Sequence, residues 1–134
     1  MKVTIAQLNP IVGDIQGNSD RITGLLSELA DEAPDLVVFP ELFLVGYPPR
    51  DLLERPWFAQ RAQAAVQHLA RASADYPQTG LLLGAPWPTG KDTGKGLYNS
   101  AILLYQGEVL FVQHKSLLPT YDVFDEARYF DVAP

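Results

Sequence analysis

Apolar and polar positions along this 134-residue chain change period several times, and each change marks an element. Val3, Ile5 and Leu8, with Ala6 between them, predict a first strand stopped by the turn pair Asn9-Pro10. A polar loop follows, in which Gly13-Asp14 and Gly17-Asn18-Ser19 supply helix caps. Ile22, Leu25, Leu26, Leu29 and Ala33 then recur at three- and four-residue steps, one face of a helix that Pro34 ends. Leu36-Val37-Val38-Phe39 is a continuous apolar run, read as a buried strand. Pro40 fixes its end, because it has no N–H for a ladder and biases Phe39 toward extended geometry. Strand, helix, strand at this spacing predicts a βαβ-type unit with parallel pairing.

Further on, Phe58, Ala62, Ala65, Val66, Leu69 and Ala72 predict a second amphipathic helix that starts near Pro56 and is closed by Pro77. Gly80 to Ala85 reads as another buried strand, ended by Pro86, and Pro88 to Gly96 as a polar, glycine-rich loop. Tyr98–Tyr105 and Glu108–Gln113 alternate as two antiparallel strands joined by Gln106-Gly107. His114 to Tyr121 has no clear period, and Asp122 to Pro134 is acidic and aromatic without a regular element. The order βαβαβββ predicts an α/β domain with a mixed sheet and helices against it.

Composition narrows the function classes. The length allows one domain at most. An apolar fraction of 47% with 19% charged residues is that of a soluble globular chain rather than a disordered one. A net charge of −6 without a basic cluster argues against nucleic-acid or anionic-membrane partners. No apolar run approaches the roughly 18 residues that span a bilayer, and the apolar N-terminus is too short for a secretory signal. The absence of cysteine excludes disulfides, fits a cytoplasmic location, and removes any thiol nucleophile from the chain.

The candidate chemistry begins at Glu41. It stands at the carboxyl end of a strand, the edge where α/β folds place their sites. Val37, Val38, Phe39 and Leu42 to Val45 enclose it, so the expectation is a partly buried carboxylate suited to general-base work, with a cation nearby to compensate. Lys115 is that cation if the strand before it runs parallel to Leu36–Phe39; taken alone, each residue reads as a solvated surface charge. Gly90-Lys91-Asp92-Thr93-Gly94-Lys95-Gly96 fails as a phosphate loop. Only three residues separate Gly90 from Gly94, Gly96 replaces the hydroxyl residue, and a strand follows in place of a helix. It reads as a solvated hairpin loop. His68 and His114 lack companions at ligand spacing, so no metal site is expected. Asp122, Asp125, Glu126 and Asp131 do not follow the EF-hand pattern and read mostly as a solvated acidic loop.

Several of these stretches together resemble a known family. They are Ala6-Gln7-Leu8-Asn9-Pro10 with Val12-Gly13-Asp14, Phe39-Pro40-Glu41-Leu42 with Gly46-Tyr47-Pro48-Pro49-Arg50-Asp51-Leu52-Leu53, and Tyr98-Asn99-Ser100-Ala101. The last is Lys115-Ser116-Leu117-Leu118-Pro119-Thr120-Tyr121-Asp122-Val123-Phe124-Asp125-Glu126-Ala127-Arg128-Tyr129-Phe130. Over its whole length the chain resembles the N-terminal half of a nitrilase-superfamily (carbon–nitrogen hydrolase) domain. The runs after Gly46 and after Lys115 narrow the resemblance to the glutaminase domain of the glutamine-dependent NAD synthetases.

That resemblance implies an α-β-β-α sandwich, of which this is the N-terminal half, and a catalytic set of glutamate, lysine and cysteine. Glu41 matches the general base and Lys115 the cation that stabilises the tetrahedral intermediate. Tyr47, Tyr121 and Phe124 match residues lining the substrate site, and Glu126 a second, structural glutamate. The implied substrate is glutamine. The implied partner is a synthetase domain of the full-length chain, which uses ATP and magnesium to amidate deamido-NAD, in an enzyme expected to be homo-oligomeric. The glutaminase chemistry itself implies no cofactor. The family's cysteine falls beyond the equivalent of Pro134, so the 134 residues are expected to be a truncated portion, inactive alone, with uncovered apolar edges that favour association or poor folding. Two alternatives stand beside this: half of another nitrilase-family amidase, or a non-catalytic scaffold module.

Overall fold

A computed structural model describes residues 1–134. Its five strands are β1 (Val3–Ile5), β2 (Leu36–Val38), β3 (Gly80–Pro88), β4 (Leu97–Tyr105) and β5 (Glu108–His114), which lie side by side in that order. β1, β2 and β3 run parallel, while β4 and β5 are antiparallel additions, so the sheet is mixed. Helices α1 (Ile15–Glu28) and α2 (Pro56–Ser73) form the crossovers. Because β4 reverses β3 and β5 reverses β4, β5 runs parallel to β2. The carboxyl ends of these two strands therefore share one edge of the sheet.

Local chemistry accounts for most boundaries. The Asp14 carboxylate accepts the Gly17 N–H at 3.0 Å and starts α1. Pro56 opens α2 at a position where its missing N–H costs nothing. Gln106 and Gly107 both have positive φ, the geometry of a tight hairpin turn between β4 and β5. The core lies between the sheet and the helices, with Ile22, Val37, Phe58, Val66, Leu69, Leu81, Ile102 and Leu104 fully buried. The opposite face carries a cross-strand row, Ile5, Val38, Leu82, Leu103 and Phe111, in which Ile5 and Phe111 are exposed. Helices thus cover one face only.

Several boundaries differ from those expected. β1 stops at Ile5 rather than Leu8, and β2 at Val38. α1 ends at Glu28, before Ala33, whose φ of 43° turns the chain toward β2. β3 continues through Pro86 to Pro88. β2 pairs with it only as far as Leu82, so the prolines fall where one side of β3 needs no ladder donors. The acidic tail contains a 3-10 turn at Glu126–Arg128 and buries Phe130. Asp131, expected to be solvated, accepts the Lys95 N–H and the Gly96 N–H at 2.9–3.0 Å and closes the loop between β3 and β4.

Candidate active site

Glu41 is delivered by a tight turn after β2. Phe39 N–H donates to Leu82 C=O at 2.9 Å, Leu44 N–H to Gly84 C=O at 3.2 Å, and Gly46 N–H to Leu42 C=O at 2.9 Å. The turn lies so close on β3 that a Cβ at Gly84 would stand 2.2 Å from the Leu42 nitrogen. Leu42, Phe43, Leu44 and Val45 are fully buried. Asn18 of α1 holds the turn from the other side, its amide donating to Leu44 C=O at 3.1 Å.

Glu41 itself is not buried: its side chain is 47% exposed. The expected partly buried carboxylate is thus half exposed: the turn, in which Leu42 adopts φ 52°, buries Leu42 to Val45 and leaves Glu41 on the rim. Lys115, one residue past β5, meets it there, with Nζ 2.8 Å from Glu41 Oε1. β3 and β4 lie between the two strands, a separation of about 14 Å at ordinary strand spacing. The overhang of the turn across Gly84 and the length of the lysine side chain close that gap.

Glu126 completes the arrangement. It is 5% exposed, and Lys115 Nζ lies 3.2 Å from its Oε1 and 3.1 Å from its Oε2. The second contact is an ion pair without hydrogen-bond alignment, which leaves Oε2 buried and unbonded. Tyr47 donates its hydroxyl to Glu126 Oε1 at 3.0 Å. Burial, followed by the hydrogen bond and charge of Glu126, pushes the Tyr47 phenol well above its ordinary range, so it stays a neutral donor. For Lys115, desolvation favours the neutral amine, but the hydrogen bonds and charges of Glu41 and Glu126 outweigh it and raise the pKa. One ammonium between two carboxylates remains charged.

The aromatic candidates follow from Tyr47. Phe124 packs at 6.3 Å from its ring and Tyr121 at 5.6 Å from Phe124, with Tyr121 71% exposed at the outer end. Glu41, Lys115 and Asn99 line a cavity of about 280 Å³, and Tyr47, Phe124 and Glu126 line a second of about 140 Å³. His68 lies exposed on α2, away from this edge. His114 stacks on Tyr98 at 4.2 Å and bonds Ser100 at 2.7 Å, and burial lowers its pKa.

One site residue received no role from the sequence. Asn99 donates from Nδ2 to Glu41 Oε1 at 2.6 Å, and its carbonyl accepts the Lys115 N–H at 2.8 Å. The signal was the polar pair Asn99-Ser100 inside an otherwise apolar strand.

A carbon-nitrogen hydrolase family model matches residues 2–132. A glutamine-dependent NAD(+) synthetase from Synechocystis sp. is 41% identical over 131 residues, which is 96% of this chain and 23% of that protein. The solved glutamine-dependent NAD+ synthetase from Acinetobacter baumannii superposes with a TM-score of 0.83 at 34% identity, covering 99% of this chain and 24% of that one. An amidase from Nesterenkonia sp. superposes with a TM-score of 0.82 at 26% identity, over all of this chain and 48% of the amidase. The chain therefore spans about a quarter of the length of the synthetase relatives.

Proposed function

The chain belongs to the carbon–nitrogen hydrolase family, and from that premise we propose that it carries the base and the cation of a glutaminase site in a glutamine-dependent NAD synthetase. The observation that carries the reading is the Lys115 ammonium held between Glu41 and Glu126 at one sheet edge. Relatives named as synthetases, aligned over nearly the whole chain, favour glutamine as the substrate.

In this reading Glu41, half exposed beside the cavity, takes the proton of an attacking thiol, passes it to the departing ammonia, and then takes the proton of the water that resolves the thioester. Lys115 faces the amide oxygen as negative charge develops on it, a term that commonly contributes several kcal/mol to acyl transfer, roughly 3 or more. Glu126 holds Lys115 in place, and Tyr47, Phe124 and Tyr121 line the approach for the glutamine side chain. The 134 residues contain no cysteine, so the thiol comes from polypeptide outside them, and the chain alone is inactive.

ATP and magnesium belong to the amidation of deamido-NAD. No group of three or more acidic, histidine or cysteine side chains gathers here, and the loop before β4 opens no helix toward a phosphate. The residues present do not fit those groups, and no step here runs through them. The synthetase domain, a homo-oligomeric assembly and a cytoplasmic location complete the proposal. No helix of the chain is long and apolar enough to cross a membrane.

The test is a hybrid in which residues 1–134 replace the matching segment of the Synechocystis relative, assayed for ammonia release from glutamine. The hybrid should hydrolyse glutamine while the 134-residue chain does not. Glu41→Gln in the hybrid should cut kcat by about 100-fold or more. Full activity of that variant would remove Glu41 as base. Hydrolysis of a short aliphatic amide in preference to glutamine would favour the amidase reading that the Nesterenkonia likeness supports.

A further inference from the structure

We propose that Asn99 is a positioning residue that sets the spacing between the carboxylate of Glu41 and the ammonium of Lys115. This deepens the glutaminase reading and rests on it for its catalytic meaning. Neither group is placed by its own strand alone. Glu41 arrives from the turn after β2, Lys115 from the end of β5, and β4 lies between them with Asn99 at its start. The asparagine bonds to both. Its side-chain amide donates to Glu41 Oε1 at 2.6 Å, and its backbone carbonyl accepts the Lys115 N–H at 2.8 Å. Asn99 is 3% exposed, so water does not compete freely for either bond.

The chemistry requires a neutral donor here, and the amide supplies one. Ionised Glu41 has only acceptors, so its partner must be a donor, and a neutral donor leaves the charge of Lys115 undivided. Asn99 and Lys115 both bond to Oε1, while Oε2 of Glu41 accepts nothing from the chain. One carboxylate oxygen is therefore pinned and the other left to receive a proton. An aspartate at the same place would set two carboxylates 2.6 Å apart, with a third at Glu126 close by. An alanine would keep the backbone bond to Lys115 and leave Glu41 tied by the Lys115 ammonium alone.

The experiment follows the ammonium. The titratable groups on Lys115 are Glu41 and Glu126, with Tyr47 bonded to Glu126, Tyr121 acting on Tyr47, and His114 preceding Lys115 in β5. The 15Nζ resonance of Lys115 is titrated toward high pH in the hybrid and in its Asn99→Ala and Asn99→Asp variants, with circular dichroism marking the range in which each stays folded. Asn99→Ala should move the Lys115 midpoint down by about half a pH unit, because Glu41 is no longer held against it by Asn99. Asn99→Asp should move it up by a similar amount. A residue that merely supports the fold would lower the melting temperature of both variants and leave the midpoint where it is. Midpoints that do not move, or that move in the same direction, overturn the proposal. In the hybrid, Asn99→Ala should lower kcat about tenfold with KM little changed, and a change confined to KM also counts against it. The titration needs no hydrolysis. Opposite shifts of Lys115 in a hybrid that ignores glutamine would sink the glutaminase reading and leave the role of Asn99 standing.

Discussion

The two segments that build the site are held by different means. Residues 39–46, which carry Glu41, are fixed by backbone bonds to β3 and by four side chains removed entirely from water. Residues 115–130, which carry Lys115 and Glu126, expose Leu117, Tyr121 and Val123, and their ties are sparse. Lys115 N–H reaches Asn99, Glu126 N–H reaches Pro119 C=O at 3.2 Å, and Phe130 is buried beyond the 3-10 turn. The polar cluster adds to these ties, beside the packing of Leu118 and Tyr129 on the core. The first segment is part of the core and happens to present a carboxylate. In the second, the site and the structure share these bonds, so its local stability should track in part the charge state of the cluster.

The substitution that breaks the first segment is Gly84→Ala. The new methyl would overlap the Leu42 backbone nitrogen, and backbone on both sides cannot yield without moving the turn or the strand. A loss of about 3 kcal/mol is expected in chemical or thermal unfolding, at the upper end of overpacking costs. A loss below about 1 kcal/mol would show that the turn is not locked on β3 and that the two segments differ less than their burial implies.

Much of this contrast was legible in the sequence, for physical reasons that differ between elements. Pro56 with the apolar face from Phe58 to Ala72 marked α2, and Gln106-Gly107 marked the hairpin, because local chemistry decides both. The meeting of Glu41 and Lys115 was expected on the condition that the strand before Lys115 runs parallel to β2, and from the family resemblance; the two antiparallel pairings meet that condition. Glu41's exposure did not follow. Seven apolar neighbours suggest a partly buried carboxylate, and nothing in them marks the turn through a left-handed Leu42 that buries the four residues after Glu41 and leaves its carboxylate half exposed. Asn99 showed only as half of a polar pair in an apolar strand and Asp131 not at all, since their partners lie 58 and up to 36 residues away and nothing local names the partner of a long-range hydrogen bond. The end of α1 was overextended because Ala33 fits the helical spacing while its backbone has already turned.

The second segment is probed by Glu126→Gln, which keeps the shape and removes the buried charge. Loss of an ionic partner for Lys115 and Tyr47 should cost about 2 kcal/mol near neutral pH, discounted because Lys115 remains partly solvated. Its pH dependence has a defined sign. The folded pKa of Lys115 lies above its ordinary 10.5, so the stabilisation is complete below pH 10.5 and disappears as pH rises through the folded value. The gap between the parent chain and Glu126→Gln should therefore be constant from neutral pH to about 10 and narrow above it. A gap that widens at alkaline pH would mean that Lys115 is not stabilised as the cation. Tyr47→Phe removes one donor to the same carboxylate and should cost about 1 kcal/mol by the same unfolding measurement. If it costs as much as Gly84→Ala, the polar cluster is as deeply locked as the turn and the contrast between the segments fails.

The smallest effect is expected where the two segments touch at the surface. Tyr129 donates its hydroxyl to Asp51 Oδ1 at 2.7 Å, a bond that joins the end of the second segment to the 3-10 turn Arg50–Glu54. The geometry is good, and Asp51 raises the Tyr129 pKa by accepting that bond. Solvent nevertheless reaches both ends of the contact, so water replaces either partner at little cost. Tyr129→Phe should leave the melting temperature unchanged within replicate scatter. It should also leave the Lys115 midpoint in place, because the Tyr129 hydroxyl bonds nothing in the cluster around Lys115 and the Tyr129 N–H that donates to Glu126 C=O at 3.0 Å is kept in the variant. A shifted midpoint would mean that the surface contact sets the position of Glu126 through the intervening turn. The second segment would then be ordered from its far end inward, and the polar cluster would be a consequence of that order rather than its cause.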